Sequence, residues 1–373
     1  MKKIFLLSIL VLTTTVAWSQ KDKPIKRGTS SAAGVIYTIT NENEPHDATW
    51  LQWPHQYQYG AIYSKRLDAT WVEMTAALAN SERVNIIVYD ETEKVRVINM
   101  LKTANVVMTN VTLKIMPTDD FWIRDNGPFF VRNKNGDLTL EDWSFNGWGK
   151  KAKFTNCDQI PTKIAADQTL PLIDLNAVLT IENSSIQMDG FGTMMATKSS
   201  ILNNNRNTGK NQSQVEQILK KNIGATHFIW LKGTSSVDNT DFHIDSFARF
   251  ANDSTIVTME NEDLMEWKVP DTDIEVINNA SNEIGKPYTF LKLPLTKKSI
   301  ITAYGKNMGY KGSYVNYYVA NTVVLVPNFN DDNDIVANDL IQTLYPNRKV
   351  IGIDIRNLFA TGASIHNVCR EQP

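Results

Sequence analysis

Cysteine is almost absent from this chain. Only Cys157 and Cys369 carry thiols among 373 residues, too few for a disulfide-framework fold, although an oxidising compartment could join the two. An excess of charge of either sign is also missing. Lys and Arg number 38 against 40 Asp and Glu, and a net charge of −2 gives no electrostatic case for nucleic acid or an anionic membrane as partner. Histidine is scarce, with five residues. His243-Ile244-Asp245 could supply two metal ligands, but no second histidine cluster completes such a site, so neither metal nor other cofactor is expected. Beyond the first twenty residues no apolar run approaches a membrane span. Beyond residue 33 no linker or low-complexity stretch interrupts the chain.

The one long hydrophobic run lies at the start. Lys2 and Lys3 precede an apolar stretch over 4–16, and Ala17-Trp18-Ser19 places small residues at a cleavage site. The pattern predicts a signal peptide over 1–19, cleavage that leaves Gln20 first, and a periplasmic or secreted product. No cysteine follows the run, which argues against a lipid anchor. Cleavage would remove two lysines and no acid, moving the net charge from −2 to −4. Residues 20–33 are basic and Ser-rich and read as a flexible leader. The remaining 340 or so residues are enough for a large core.

That remainder alternates strand and helix signals. Residues 84–89 are β-branched, and Asp90 with Glu93 then caps a helix carrying Val97, Ile98 and Leu101. Another strand is expected over 111–116. Ser213 and Glu216 form a capping-box pattern before Val215, Ile218, Leu219 and Ile223, and Gly224 ends that helix. Ile335, Val336, Leu340 and Leu344 mark a late helix before a strand over 350–355. Strand pairs split by polar turns are expected at 127–132 with 138–145, 186–188 with 193–197, and 247–250 with 255–259. The rhythm of two strands, a helix and another strand recurs about five times. It indicates α/β or α+β with antiparallel pairs.

Three segments carry chemistry. Asp120-Phe121-Trp122-Ile123-Arg124-Asp125-Asn126-Gly127-Pro128 places carboxylates beside aromatics, with Trp122 and Phe129 positioned to exclude water. On a strand, His243 and Asp245 would share one face. His366 and Cys369 stand three apart near the C-terminus. Two carboxylates, a histidine and a thiol are the minimum set for attack on a guanidinium. Carboxylates grip the planar cation through forked hydrogen bonds. A thiolate attacks the central carbon, and an acid protonates the departing ammonia.

Taken together these segments resemble the agmatine deiminase and bacterial peptidylarginine deiminase family, within the guanidino-group-modifying superfamily. The likeness runs from about His46 to Pro373. Trp50-Leu51-Gln52-Trp53-Pro54 resembles its opening motif, and Asp120-x-Trp122-x-Arg124-Asp125-x-Gly127-Pro128 matches its first carboxylate motif. Phe145-Asn146-Gly147-Trp148-Gly149, Asp189-Gly190-Phe191-Gly192-Thr193, Asn203-Asn204-Asn205-Arg206-Asn207, Thr240-Asp241-x-His243-x-Asp245 and Tyr314-Val315-Asn316-Tyr317-Tyr318 follow in order. The resemblance implies a single deiminase-like catalytic domain over 34–373, folded as a five-bladed α/β propeller with pseudo-fivefold symmetry. It implies a guanidinium clamp of Asp125 and Asp245, an acid–base at His243, and substrate contacts from Glu182, Trp122, Asn316 at the mouth, and the residue at 367. The expected activity is hydrolytic deimination of agmatine to N-carbamoylputrescine and ammonia through a cysteine thiouronium. Peptidyl-arginine is the alternative substrate, and it fits export better.

The tail departs from the family pattern. Counting back from Pro373, the nucleophile position holds Asn367, and Cys369 stands where threonine is usual. The family's Glu-Gly-Gly turn reads Glu182-Asn183-Ser184. Cys369 could be a displaced nucleophile, sharing a face with 367 about 6.6 Å further along an extended segment. It could pair with Cys157. Or it could be a buried thiol in an inactive guanidine-binding homologue.

Overall fold

The computed structural model describes Gly34 and residues 36–373, so the expected signal peptide and leader lie outside the described residues. One plan recurs. A short leading strand turns back into an antiparallel central strand, and a helix then crosses to a third strand parallel to the central one. Polar turns permit the first step, and the parallel return requires the helical crossover.

The plan runs through Phe129–Asn133, Leu138–Ser144, helix Ile160–Gln168 and Leu172–Thr180. It repeats in Ile186–Met188, Thr193–Thr197, helix Gln212–Ile223 and His227–Leu231. The next copy is Arg249–Phe250, Thr255–Met259, helix Asp271–Asn278 and Thr289–Leu293. Then come Tyr318–Val319, Val323–Asn328, helix Asn333–Leu344 and Lys349–Asp354. The last sheet is assembled from both ends of the described chain. Its leading strand Arg370–Gln372 pairs with Ala48–Gln52, which passes through helix Ala61–Ala79 to Arg83–Val88, with Val111–Ile115 beyond. Tyr37–Ile39 adds an edge to the first sheet through Phe129–Asn133. The result is a mixed α/β fold with five separate sheets among the described residues. No helix among them is long and apolar enough to cross a membrane.

Burial explains the composition of the central strands. Ala48–Gln52 is buried throughout and Val323–Asn328 over five of its six residues, so both faces need apolar or hydrogen-bonded side chains. The expected strand pairs form, and Asp90 accepts the Glu93 N–H at 2.9 Å to start helix Glu91–Thr103. Two expectations shift. Helix Gln212–Ile223 is capped by Asn211 with Gln214, two residues before the expected Ser213 and Glu216, because that pair also has the acceptor-and-return spacing. In helix Asn333–Leu344 the fully buried face carries Ala337 and Ile341, while Ile335 and Val336 face solvent.

Four leading strands are fed by a single helical turn: Ile123–Asn126, Asn183–Ser185, Ile244–Ser246 and His366–Val368. The remaining one is fed by an irregular segment over 314–317. Asp125, Asp245, Asn316 and Asn367 lie on these feeder segments, and Glu182 and His243 each stand immediately before one.

Candidate active site

A cavity of about 290 Å³ opens where the feeder turns meet, lined by Trp122, Asp125, Trp148, His243, Asp245 and Asn367 together with Asp238, Asn239, Thr240, Ser246, Thr361 and Gly362. Asp125 is buried, and its Oδ2 accepts the Trp148 indole N–H at 2.9 Å. Trp148 is aimed by a left-handed run in which residues 147–150 have φ between 55° and 84°. A Cβ on Gly149 would lie 2.7 Å from the Asn205 side chain, so both conformation and space demand glycine there. Trp122 crosses Trp148 edge to face at 5.3 Å, forming an apolar wall.

His243 precedes a 3₁₀ turn; it is not on a strand, so it does not share a face with Asp245 by strand alternation. The turn still delivers both side chains to the cavity. Asp241 and Phe242, just before it, have φ of 63° and 76°. That strain is held by Asp241, which takes Arg206 Nη1 at 3.1 Å, Lys151 Nζ at 2.9 Å and the Ser236 N–H at 2.8 Å. His243 Nε2 lies 3.4 Å from Glu182 Oε2, and Nδ1 lies 3.9 Å from Asp125 Oδ1. Burial opposes charge on the ring, but Asp125, Glu182 and Asp245 outweigh it and raise the pKa to about 9.

The two cavity carboxylates differ. Burial raises the pKa of Asp125, His243 offsets only part of this, and Glu182 adds repulsion. Burial also opposes charge on Asp245, but His366 more than compensates and holds it below its ordinary value. Asp245 Oδ2 faces His366 Nδ1 at 2.7 Å and accepts Asn367 Nδ2 at 2.9 Å. Among the described residues, Asp125 Oδ1, Asp245 Oδ1 and His243 Nδ1 are buried without hydrogen-bond partners. Buried polar atoms are normally satisfied, so three orphans at one cavity mark a place for a polar guest. Among the described residues no group of three or more His, Cys, Asp or Glu is placed to hold a metal ion.

Residues 38–373 match the family of Porphyromonas-type peptidyl-arginine deiminases. This chain belongs to that family. A provisionally named agmatine deiminase of Yersinia pseudotuberculosis is 30% identical over 349 residues, covering 88% of this chain and 93% of that protein. The substrate-bound Cys-to-Ser form of the C. jejuni agmatine deiminase superposes with a TM-score of 0.77 at 25% identity, covering 90% of this chain and 96% of that one. The agmatine deiminase of Enterococcus faecalis shares the fold, with a TM-score of 0.78 at 22% identity over 92% and 98% of the two chains. Agmatine deiminases are hydrolases acting on C–N bonds.

Within this family fold, four expectations need correction. Cys369 is fully buried, does not line the cavity, and sits among Arg124, Glu42, Glu371 and Glu82. Burial drives its thiol well above the ordinary value, despite Arg124 nearby. The extended tail needed for a shared face does not form. Residues 366–368 make a 3₁₀ turn, where positions two apart point in different directions. Nor do the cysteines pair: both are free, and Cys157 Sγ instead accepts the Asp119 N–H. Glu182 lies behind the cavity, held by Arg206 Nε at 2.6 Å, and reaches the site through His243. Asn316 is buried beneath the site and not at its mouth. It donates to the Asp245 carbonyl at 3.2 Å and accepts the His366 N–H at 3.0 Å.

Other contributors escaped the sequence reading. His366 Nε2 faces Glu42 Oε2 at 2.9 Å, making Glu42 the next link behind Asp245. Ser184 reaches Asn367 from the second feeder turn. Trp148 and Thr240 were signalled by their motifs, whereas Asp238 and Asn239 had only the polarity of their loop.

Proposed function

We propose that the cavity binds the guanidinium of agmatine or a related small guanidine, with peptidyl-arginine as the alternative ligand. The carrying observation is the orphan set, Asp125 Oδ1, Asp245 Oδ1 and His243 Nδ1. Two carboxylate oxygens accept the forked N–H groups of a guanidinium, and indole walls flank its plane. Family membership supports hydrolytic deimination as the chemistry of this site. A histidine protonated near neutral pH suits it to protonate departing ammonia.

The nucleophile is the part that differs. Asn367 spends its amide on Asp245 and Ser184 and offers no nucleophile. A thiouronium at Cys369 would need the tail turn to unwind. In this reading the native chain binds guanidines without rapid turnover. Calorimetric titration with agmatine and an arginyl peptide, alongside ammonia assays, tests it. Agmatine should bind, and Asn367→Cys should release ammonia at least ~100-fold faster than the native protein. A folded protein that binds neither ligand would refute the reading. Rapid native turnover abolished by Cys369→Ser would restore the displaced nucleophile.

The recurring strand–strand–helix–strand plan supports reading the five sheets as blades of a pseudo-fivefold propeller. Residues 1–19 we read as a signal peptide and 34–373 as a single catalytic domain. Recovery of exported protein beginning at Met1 would contradict the first of these.

A further inference from the structure

The geometry points to Ser184 and Asn367 acting as one unit, a hydrogen-bonded pair that holds Asp245 in place for a guanidinium. The inference rests on the guanidine-binding reading and assigns Ser184 as a positioning residue within it.

Ser184 is fully buried on the turn Asn183–Ser185, and Asn367 comes from His366–Val368. The Asn367 amide has one orientation. Its Oδ1 accepts the Ser364 N–H at 3.0 Å, so its NH₂ must point the other way. One N–H goes to Asp245 Oδ2 at 2.9 Å and the other to Ser184 Oγ at 3.3 Å. Having accepted that bond, the Ser184 hydroxyl keeps its own proton, which helps to offset the burial that raises the pKa of Asp125. The bridge therefore runs Ser184, Asn367, Asp245. It engages Asp245 through Oδ2 and leaves both Oδ1 atoms of the clamp free.

A second contact fixes the same two segments. With its amide turned to pair, the Asn183 carbonyl accepts both Arg370 Nη groups at 2.9 Å. The turn at 183–184 thus grips the tail at 367 and at 370. Glycines at 183 and 184 could make neither contact, and a cysteine at 367 has no amide to divide between a serine and a carboxylate. Two of the departures from the family pattern, at 183–184 and at 367, therefore touch each other.

A bridge implies coupling. Agmatine dissociation constants would be measured for the native protein, Ser184→Ala, Asn367→Ala and the double variant, with melting temperatures confirming folding. Each single change should weaken binding at least ~5-fold, and the double should be no more than about twofold weaker than the worse single, because the second loss removes a contact already broken. A merely structural loss would add independently and lower the melting temperature in step. Multiplying effects in folded variants would overturn the bridge while leaving guanidine binding intact. Absence of agmatine binding in the native protein would instead refute the underlying reading. Should the alanine variants not fold, Ser184→Gly with Asn367→Ser completes the same cycle.

Discussion

His243 carries a positive charge in a cavity proposed to receive a second one. With its pKa raised to about 9, the ring is protonated at pH 7, and an arriving guanidinium favours release of that proton. Agmatine affinity should therefore rise from pH 7 to 9, by up to about tenfold per unit, and His243→Gln should flatten the dependence; calorimetry in buffers of different ionisation enthalpy checks both. The unliganded protein should show the opposite trend. A histidine whose folded pKa exceeds its unfolded value contributes stability that is fully present below about 6.5 and lost as pH rises through about 9. The melting temperature should fall across that window by more in the native protein than in His243→Gln. At this scale Trp122, Asp125, His243, Asp245 and Asn367 were legible because motifs placed them. Cys369 misled because an extended tail was assumed. Glu42 and Ser184 were illegible because their meaning depends on partners 324 and 183 residues away.

Elements were easier to read where burial repeats and harder where the backbone bends. Val215, Leu219 and Ile223 recur every four residues and announce helix Gln212–Ile223, yet Asn211 and Ser213 both offer a cap, so its start was ambiguous. Nothing in the sequence revealed the one-turn segments feeding the leading strands, which are too short to show a period. The left-handed run at 147–150 is the sharpest of these bends. Gly149→Ala would force a Cβ into Asn205 at φ 84°. It should cost roughly 1–3 kcal/mol in chemical denaturation and weaken agmatine binding, because Trp148 would no longer be aimed at Asp125. Unchanged stability would show that the turn relaxes without loss.

Across the whole molecule, Glu42 joins segments that belong to or feed four sheets. Its carboxylate meets Arg249 Nη2 at 2.9 Å, His366 Nε2 at 2.9 Å and Arg124 Nη2 at 3.5 Å, while Oε1 accepts the Val319 N–H at 2.8 Å from a fourth. Burial opposes its charge, but Arg249 and His366 hold its pKa well below the ordinary value. Glu42→Gln would leave the buried Arg249 guanidinium without its carboxylate and should cost about 3–5 kcal/mol, read from urea unfolding. The repeated strand and helix rhythm foretold the mixed architecture. It did not foretell that the final strand joins the sheet begun by Ala48–Gln52, since hydrophobic pattern carries no information about distant pairing.

That pairing governs the order of assembly during synthesis. Trp50 waits for Gln372, 322 residues later, to take its indole N–H. While residue 372 is still inside the ribosome, Ala48–Gln52 presents an open edge, and the segment bearing Asn367 has no seat. A nascent chain can thus complete the helical crossovers of its middle sheets early, but the cavity lined by Asn367 can form only after translation has passed Arg370–Gln372. A chain truncated shortly before residue 367 would lack this pairing and stay exposed along the edge of Ala48–Gln52, which makes that closure a step sensitive to aggregation.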